Sequence, residues 1–295
     1  MSPLPPQLHE AVQQILSTDL LHVQLLSGGM VNHAARIQTR DGVVFVKWSQ
    51  SATFAMYRAE ADGLHALRST QTLRVPHVIA IGQAPPFLAL EFIEERMPPD
   101  AKRFTRRFAT ALAQMHSRTR CMRGFGFADD NFIGALPQRN TWHPDWPSFY
   151  RDCRLVPQIE MARERQLLPA TREHALQRVL ENVERLLHVL PSQPSLLHGD
   201  LWSGNFLAAG DEPVIFDPAA YYGEREVEIA YIELFGGFPA GFVAAYHEAY
   251  PLEDGYEQRR ALHQLYPLLV HLNYFGETYG PRVDHACEMC RTALL

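Results

Sequence analysis

Residues 198–205 read HGDLWSGN, and how this stretch is read decides the fold of the chain. An Asp and an Asn in a polar loop are ordinarily turn-formers, because their side chains hydrogen-bond local backbone and tolerate left-handed conformations. Taken alone, Asp200 and Asn205 carry no more than that. Their setting adds to it. The apolar pair Leu196-Leu197 runs into the loop, and the apolar run PVIF follows it and ends at Asp217. Two short strands, each bordering a polar loop, are expected here.

Working outward, two upstream residues fall in order with these three. Lys47 ends VVFVKW, an apolar, β-branched run that reads as a strand after the turn signal Asp41-Gly42. A Lys completing a core-facing strand needs an anionic partner. Glu60 can supply one from the next helix, where Phe54, Tyr57, Ala61, Leu64 and Leu67 are spaced for one buried face. Singly, each residue has an ordinary role: a snorkelling Lys, a solvated Glu, a turn-starting Asp before Pro218. Together, Lys47, Glu60, Asp200, Asn205 and Asp217 are the parts that move a phosphoryl group. Kinases hold nucleotide phosphates with a strand Lys oriented by a helix Glu. They accept the attacking hydroxyl's proton on an Asp, and they bind metal with an Asn five residues later and with a second Asp beyond the next strand.

The glycine signal is weaker. SGGMVNHA carries Gly28 and Gly29 at a β-turn, without G-x-G-x-x-G or G-x-x-x-x-G-K-[ST]. The pair either lets backbone approach a phosphate or closes a plain hairpin. Further on, LALEFIEE reads as a hinge, with Glu91 and Ile93 offering backbone groups to an adenine edge and Phe92 between them.

The element order before residue 93 is β-β-β-α-β-β, and long helices dominate from residue 98 onward. An aromatic, turn-rich stretch, 124–150, separates two of them. This predicts an α+β, bilobal, protein-kinase-like fold. A small antiparallel sheet lobe with one helix, 1–93, binds the nucleotide. A larger helical lobe, 94–295, carries catalysis and substrate. No long activation segment follows Asp217, which favours a small acceptor over a peptide. Trp142, Trp146 and Trp202 either line a sugar pocket or pack the core, and His271 and Asn273 are left unassigned.

The chain is 46% hydrophobic over 295 residues, enough to bury a core without disulfides or metals. A net charge of −6 argues against nucleic acid as a partner. No apolar run is long enough to span a membrane, and the N-terminus lacks the pattern of a signal peptide. With few cysteines, this predicts a cytoplasmic, reduced protein, and a monomer is the simplest expectation. Cys287 and Cys290 form a C-x-x-C, but only His285 lies nearby as a further metal ligand.

The chain resembles the fructosamine kinase (ketosamine-3-kinase) family, relatives of aminoglycoside and choline kinases. The resemblance covers nearly its whole length. It is carried by GGMVNHA, the FVK ending at Lys47, AEADGL, FGFADDNFIG with PQRNTW, HGDLWSGN, VIFDPAAYYGERE, ELFGGF and HLNYFG. It implies ATP- and Mg²⁺-dependent phosphorylation of the sugar 3-hydroxyl of a ketosamine, which leads to deglycation. By the resemblance, Asp200 accepts the proton, Asn205 and Asp217 bind Mg²⁺, Lys47 with Glu60 holds phosphates, and Glu91, Phe92 and Ile93 bind adenine. Another amine-bearing acceptor and a non-catalytic nucleotide-binding regulator are the alternatives. In GEREVEIAY, Glu224 and Glu228 stand where relatives commonly carry Asp, which lengthens a side chain expected to anchor the catalytic loop.

Overall fold

The structure is a computed structural model that describes residues 3–26, 33–187 and 193–295. Strands β1 (Leu20–Leu26), β2 (His33–Thr39) and β3 (Val43–Trp48) precede helix α2 (Phe54–Ser69). Strands β4 (Val78–Gln83) and β5 (Pro86–Glu91) follow it. They form one sheet of order β1-β2-β3-β5-β4, antiparallel throughout. Alternation along β3 explains its composition, since successive side chains leave opposite faces of the sheet. Val44 and Val46 pack with Phe87 and Ala89 on one face, beneath Leu8 and Val12. Lys47 leaves the other face, toward α2.

Leu8 and Val12 belong to a second helix of this region, α1 (Pro6–Leu16), where the sequence reading expects only one. Pro6 stands at its start, where a missing N–H costs nothing. The two buried residues one turn apart give too short a periodic signal to be read unaided.

From α3 (Ala101–Arg118) onward the chain is mainly helical. Asp100 caps α3 by accepting from the Arg103 N–H at 3.0 Å. A small hairpin follows, β6 (Asn131–Ile133) and β7 (Leu136–Gln138). The stretch expected to be turn-rich up to Tyr150 differs from that expectation. Helix α4 (Trp146–Phe149) starts within it and runs through a π-helical turn, Tyr150–Leu155, into α5 (Val156–Glu164). Asp145 starts this path by accepting from the Ser148 N–H at 2.8 Å. After α6 (Ala170–Leu187), two strand pairs frame the HGDLWSGN loop. Strand β8 (Ser195–Leu197) pairs with β11 (Tyr221–Gly223), and β9 (Phe206–Ala209) pairs with β10 (Glu212–Ile215). Helices α7 (Glu226–Phe235), α8 (Phe242–Ala249), α9 (Tyr256–Phe275) and α10 (Gly280–Thr292) complete the chain.

One apolar cluster joins the sheet side to the helical side. Tyr57, Ala61, Leu64 and Leu67 of α2 share it with Phe104, Phe108 and Leu112 of α3, and with Ile215, Ile229 and Phe242. Arg74 adds a polar tie, pairing with Glu91 at 2.7 Å and Glu212 at 2.8 Å. Cys287 and Cys290 are buried in α10, burial pushes both thiols up to about 12, and among the described residues no group of three or more His, Cys, Asp or Glu side chains gathers to hold a metal. The C-x-x-C is therefore core. Among the described residues no helix is long and apolar enough to cross a membrane.

Phe108 is fully buried, with the rings of Phe104, Phe206, Phe238 and Phe242 around it at 4.9–6.1 Å. Phe108→Ala is expected to destabilise the fold by about 3–5 kcal/mol, the cost of an unfilled aromatic site. Urea unfolding of the two proteins checks this.

Candidate active site

The HGDLWSGN loop leaves β8 through Gly199, whose φ is +82°. A Cβ there would sit 2.1 Å from the carbonyl oxygen of Ala219, so a side chain is excluded both by conformation and by space. His198 ties the loop to the end of β10. Burial lowers its pKa and keeps the ring neutral, so Nε2–H donates to the Phe216 carbonyl at 2.9 Å. Nδ1 then accepts the Asp200 N–H at 3.3 Å. Trp202 folds its ring over Gly204, where a Cβ would meet the indole at 2.3 Å.

The five residues named from the sequence meet at one place. Lys47, only 3% exposed, has its Nζ 2.6 Å from Glu60 Oε2 and 2.8 Å from Asp217 Oδ1. Burial alone would drive the ammonium toward neutrality, but the carboxylates of Asp217 and Glu60 hold its pKa well above the ordinary range. Burial pushes Glu60 up to about 7 against the pull of Lys47. Asp217 takes up a left-handed backbone, φ +56°, which Asp tolerates better than most residues. Asn205 Nδ2 donates to the Asp200 carbonyl at 2.8 Å, to Asp200 Oδ2 at 3.1 Å and to the Asp217 carbonyl at 3.4 Å. With its nitrogen committed, Asn205 has its amide oxygen left to offer a ligand, and Asp217 has a carboxylate. Amide and carboxylate oxygens are the hard donors that Mg²⁺ takes together with phosphate. The residues present fit that ion.

Asp200 accepts Tyr231 O–H on Oδ1 at 2.5 Å as well as Asn205 on Oδ2. Burial pushes its carboxyl up to about 7, helped by Asp217 and Glu228 and opposed by the hydrogen bonds from Tyr231 and Asn205. A carboxyl there is balanced between its two forms near neutral pH, which suits a proton acceptor.

Glu228 does anchor the loop despite its extra methylene. Oε1 accepts the Gly199 N–H at 2.8 Å, and Oε2 accepts from His116 Nε2 at 2.9 Å. His116 is itself held by the Tyr246 hydroxyl at 2.8 Å. Glu226 is bound in two-point fashion by Arg259 at 2.9 and 3.0 Å. Burial would raise its pKa, but His263 and Arg259 bring it down to about 2. Glu224 differs from both. It is buried beside Glu226, and burial pushes it up to about 8.

Other sequence readings divide. Trp146 is fully buried against Phe125, Phe149 and Tyr150 and cannot meet a sugar. Trp142 is half-buried, with Tyr222 and the Arg123 guanidinium against its ring. Asn273 binds Gln158, a packing role. The Glu91 carboxylate is committed to Arg74, so any adenine contact there is a backbone one. Phe92 carries the Arg36 guanidinium over its ring at 5.2 Å. Gly28 and Gly29 lie outside the described residues. The sequence reading missed Tyr231, His116 and the buckle made by His198. Their one signal was position, since Tyr231 follows Glu228 by three residues, on the same helix face.

A five-stranded sheet tied to a helical body through the Lys47–Glu60–Asp217 cluster, beside an Asp–Asn loop, defines a fold of the aminoglycoside phosphotransferase type. The ADP-bound aminoglycoside phosphotransferase APH(2'')-Ib shares this fold, with a TM-score of 0.67 at 13% identity over 99% of this chain and 100% of that one. The chain belongs to the fructosamine kinase family, whose model matches residues 6–292. It is 40% identical to a probable ketoamine kinase of Synechocystis sp. over 90% of this chain and 88% of that protein. It is 38% identical to the chloroplastic protein-ribulosamine 3-kinase of Arabidopsis thaliana over 89% and 80%. A fructosamine-3-kinase candidate from Thermobifida fusca superposes with a TM-score of 0.85 at 33% identity, over 96% and 98% of the two chains.

The Glu224 carboxyl yields a pH signature. Its pKa is raised from 4.5 to about 8 on folding, so the stability it supports is full below about 4.5 and is lost as pH rises through 8. Glu224→Gln is expected to match the wild type in melting temperature near pH 5 and to exceed it near pH 9, which thermal unfolding across that range checks.

Proposed function

We propose that this protein is an ATP-dependent kinase that phosphorylates the 3-hydroxyl of the sugar in ketosamines, so that ribulosamine or fructosamine adducts are deglycated. The names of its relatives support the substrate class. The observation that carries the chemistry is the single connected cluster of Lys47, Glu60, Asp200, Asn205 and Asp217. Its completeness also speaks against a regulator that has lost catalysis.

In this reading residues 1–93 form the nucleotide lobe and 94–295 the catalytic and substrate lobe. Adenine meets the backbone of Glu91 and Ile93 beside Phe92, and Gly28 and Gly29 approach the phosphates. Lys47, oriented by Glu60, exchanges its contact with Asp217 for a phosphate oxygen. Asp217 and the Asn205 amide oxygen would hold Mg²⁺, which neutralises charge on the transferring group. The sugar O–H gives its proton to Asp200 as its oxygen bonds to the γ-phosphorus. The bond from that phosphorus to the bridging oxygen breaks, and ADP leaves. Neutralising charge and holding these groups in line supplies more of the barrier reduction than the proton transfer does. The acceptor is a small ketosamine or a glycated amine, not nucleic acid or a membrane, and the enzyme acts as a cytoplasmic monomer.

ADP release with Mg·ATP and ribulose-lysine, beside fructose-lysine, tests the reading. Asp200→Asn is expected to lower kcat by about 10²–10⁴-fold while the protein stays folded. Turnover should stop on chelation and return with added Mg²⁺. Because Asp200 must be ionised and its pKa is about 7, kcat/KM should fall about tenfold per unit as pH drops below that value. Absence of turnover with both ketosamines, alongside measurable ATP binding, would overturn the substrate assignment.

A further inference from the structure

Helix α7 grips the catalytic loop at two points one turn apart. Glu228 takes the Gly199 N–H at 2.8 Å, and Tyr231, three residues on, reaches Asp200 Oδ1 at 2.5 Å. Residues three apart on a helix share a face, so both contacts follow from a single placement of α7. Tyr231 is 8% exposed, and its ring packs on Phe235 at 5.0 Å. Its orientation is therefore set before any substrate arrives.

We propose that Tyr231 is a positioning residue of the phosphoryl transfer: its hydroxyl holds Oδ1 of Asp200 while the Asn205 amide holds Oδ2, fixing the carboxylate plane toward the acceptor hydroxyl. The inference rests on the reading of Asp200 as proton acceptor. A carboxylate without two such donors rotates about its terminal torsion, whose wells are broad. Fixing both oxygens removes that freedom and leaves lone pairs on each for the incoming proton, since a carboxylate oxygen accepts more than one hydrogen bond.

Around Asp200, Asp217 and Glu228 present carboxylates, which cannot donate, whereas Tyr231 and Asn205 donate to its two carboxylate oxygens. Tyr231 itself stays protonated, because burial raises its pKa well above 10 and the Asp200 charge adds to this.

The test is a kcat-against-KM split in Tyr231→Phe, which keeps the ring and removes the donor. kcat is expected to fall about tenfold, the scale of a hydrogen bond to a charged group, with the KM values for ATP and ketosamine little changed. In an Asp200→Asn background the same substitution is expected to cost nothing further, because its effect runs through Asp200. An unchanged kcat in Tyr231→Phe, or an equal loss in both backgrounds, would overturn the role of Tyr231. A wild-type enzyme that binds ATP but turns over no ketosamine would instead overturn the substrate reading, while the Asp200 carboxylate orientation in a crystal structure of Tyr231→Phe still decides the clamp.

Discussion

A buried ammonium is the constraint on which the rest of this molecule depends. Lys47 is almost wholly removed from water, and an unpaired charge there would cost several kcal/mol. Two carboxylates meet it, one from α2 and one 170 residues further along the chain. To satisfy that charge, α2 must lie against β3 and the end of β10 must reach the sheet. Once these three are together, the HGDLWSGN loop has one place to go, between β8 and β9. Its Asn205 then falls within bonding distance of both Asp200 and Asp217. In the proposed function, the charge that organises the fold is also the one that meets an ATP phosphate.

The loop is held from behind by groups that never need to touch substrate. Glu228, His116 and Tyr246 form a buried relay that ends on the Gly199 N–H. The Glu228 carboxylate is fixed in this relay, because a buried carboxylate with firm donors on both oxygens settles where those donors are. Glu224 is buried beside the carboxylate of Glu226 and is pushed toward its neutral form. Two buried glutamates four residues apart thus differ in charge state, and the difference lies in the neighbours.

Much of the nucleotide-side architecture was legible in the residues. β-branched runs and turn signals marked the five strands, and the spacing of Tyr57, Ala61, Leu64 and Leu67 marked α2, because these elements bury one face each. Helix α1 escaped, as only Leu8 and Val12 are buried in it. The helical path from Trp146 escaped as well, since Trp, Pro, Phe and Tyr in close succession read as irregular until the surrounding core supplies their packing. Trp146 itself had two equal readings, and full burial selects packing.

Order and chemistry were properties of the sequence by itself: a strand Lys, a helix Glu, then Asp200, Asn205 and Asp217 at kinase spacing. Those follow from local pattern, because each residue type answers a chemical requirement and each element announces its own period. Which groups stand behind the cluster was decided only by tertiary structure. Tyr231 on Asp200, His116 under Glu228 and the Arg74 tie to Glu91 and Glu212 join positions 17 to 138 residues apart. No local period encodes such contacts. They exist because burying polar groups obliges each to find a partner, and the partner is whichever residue the packed core delivers.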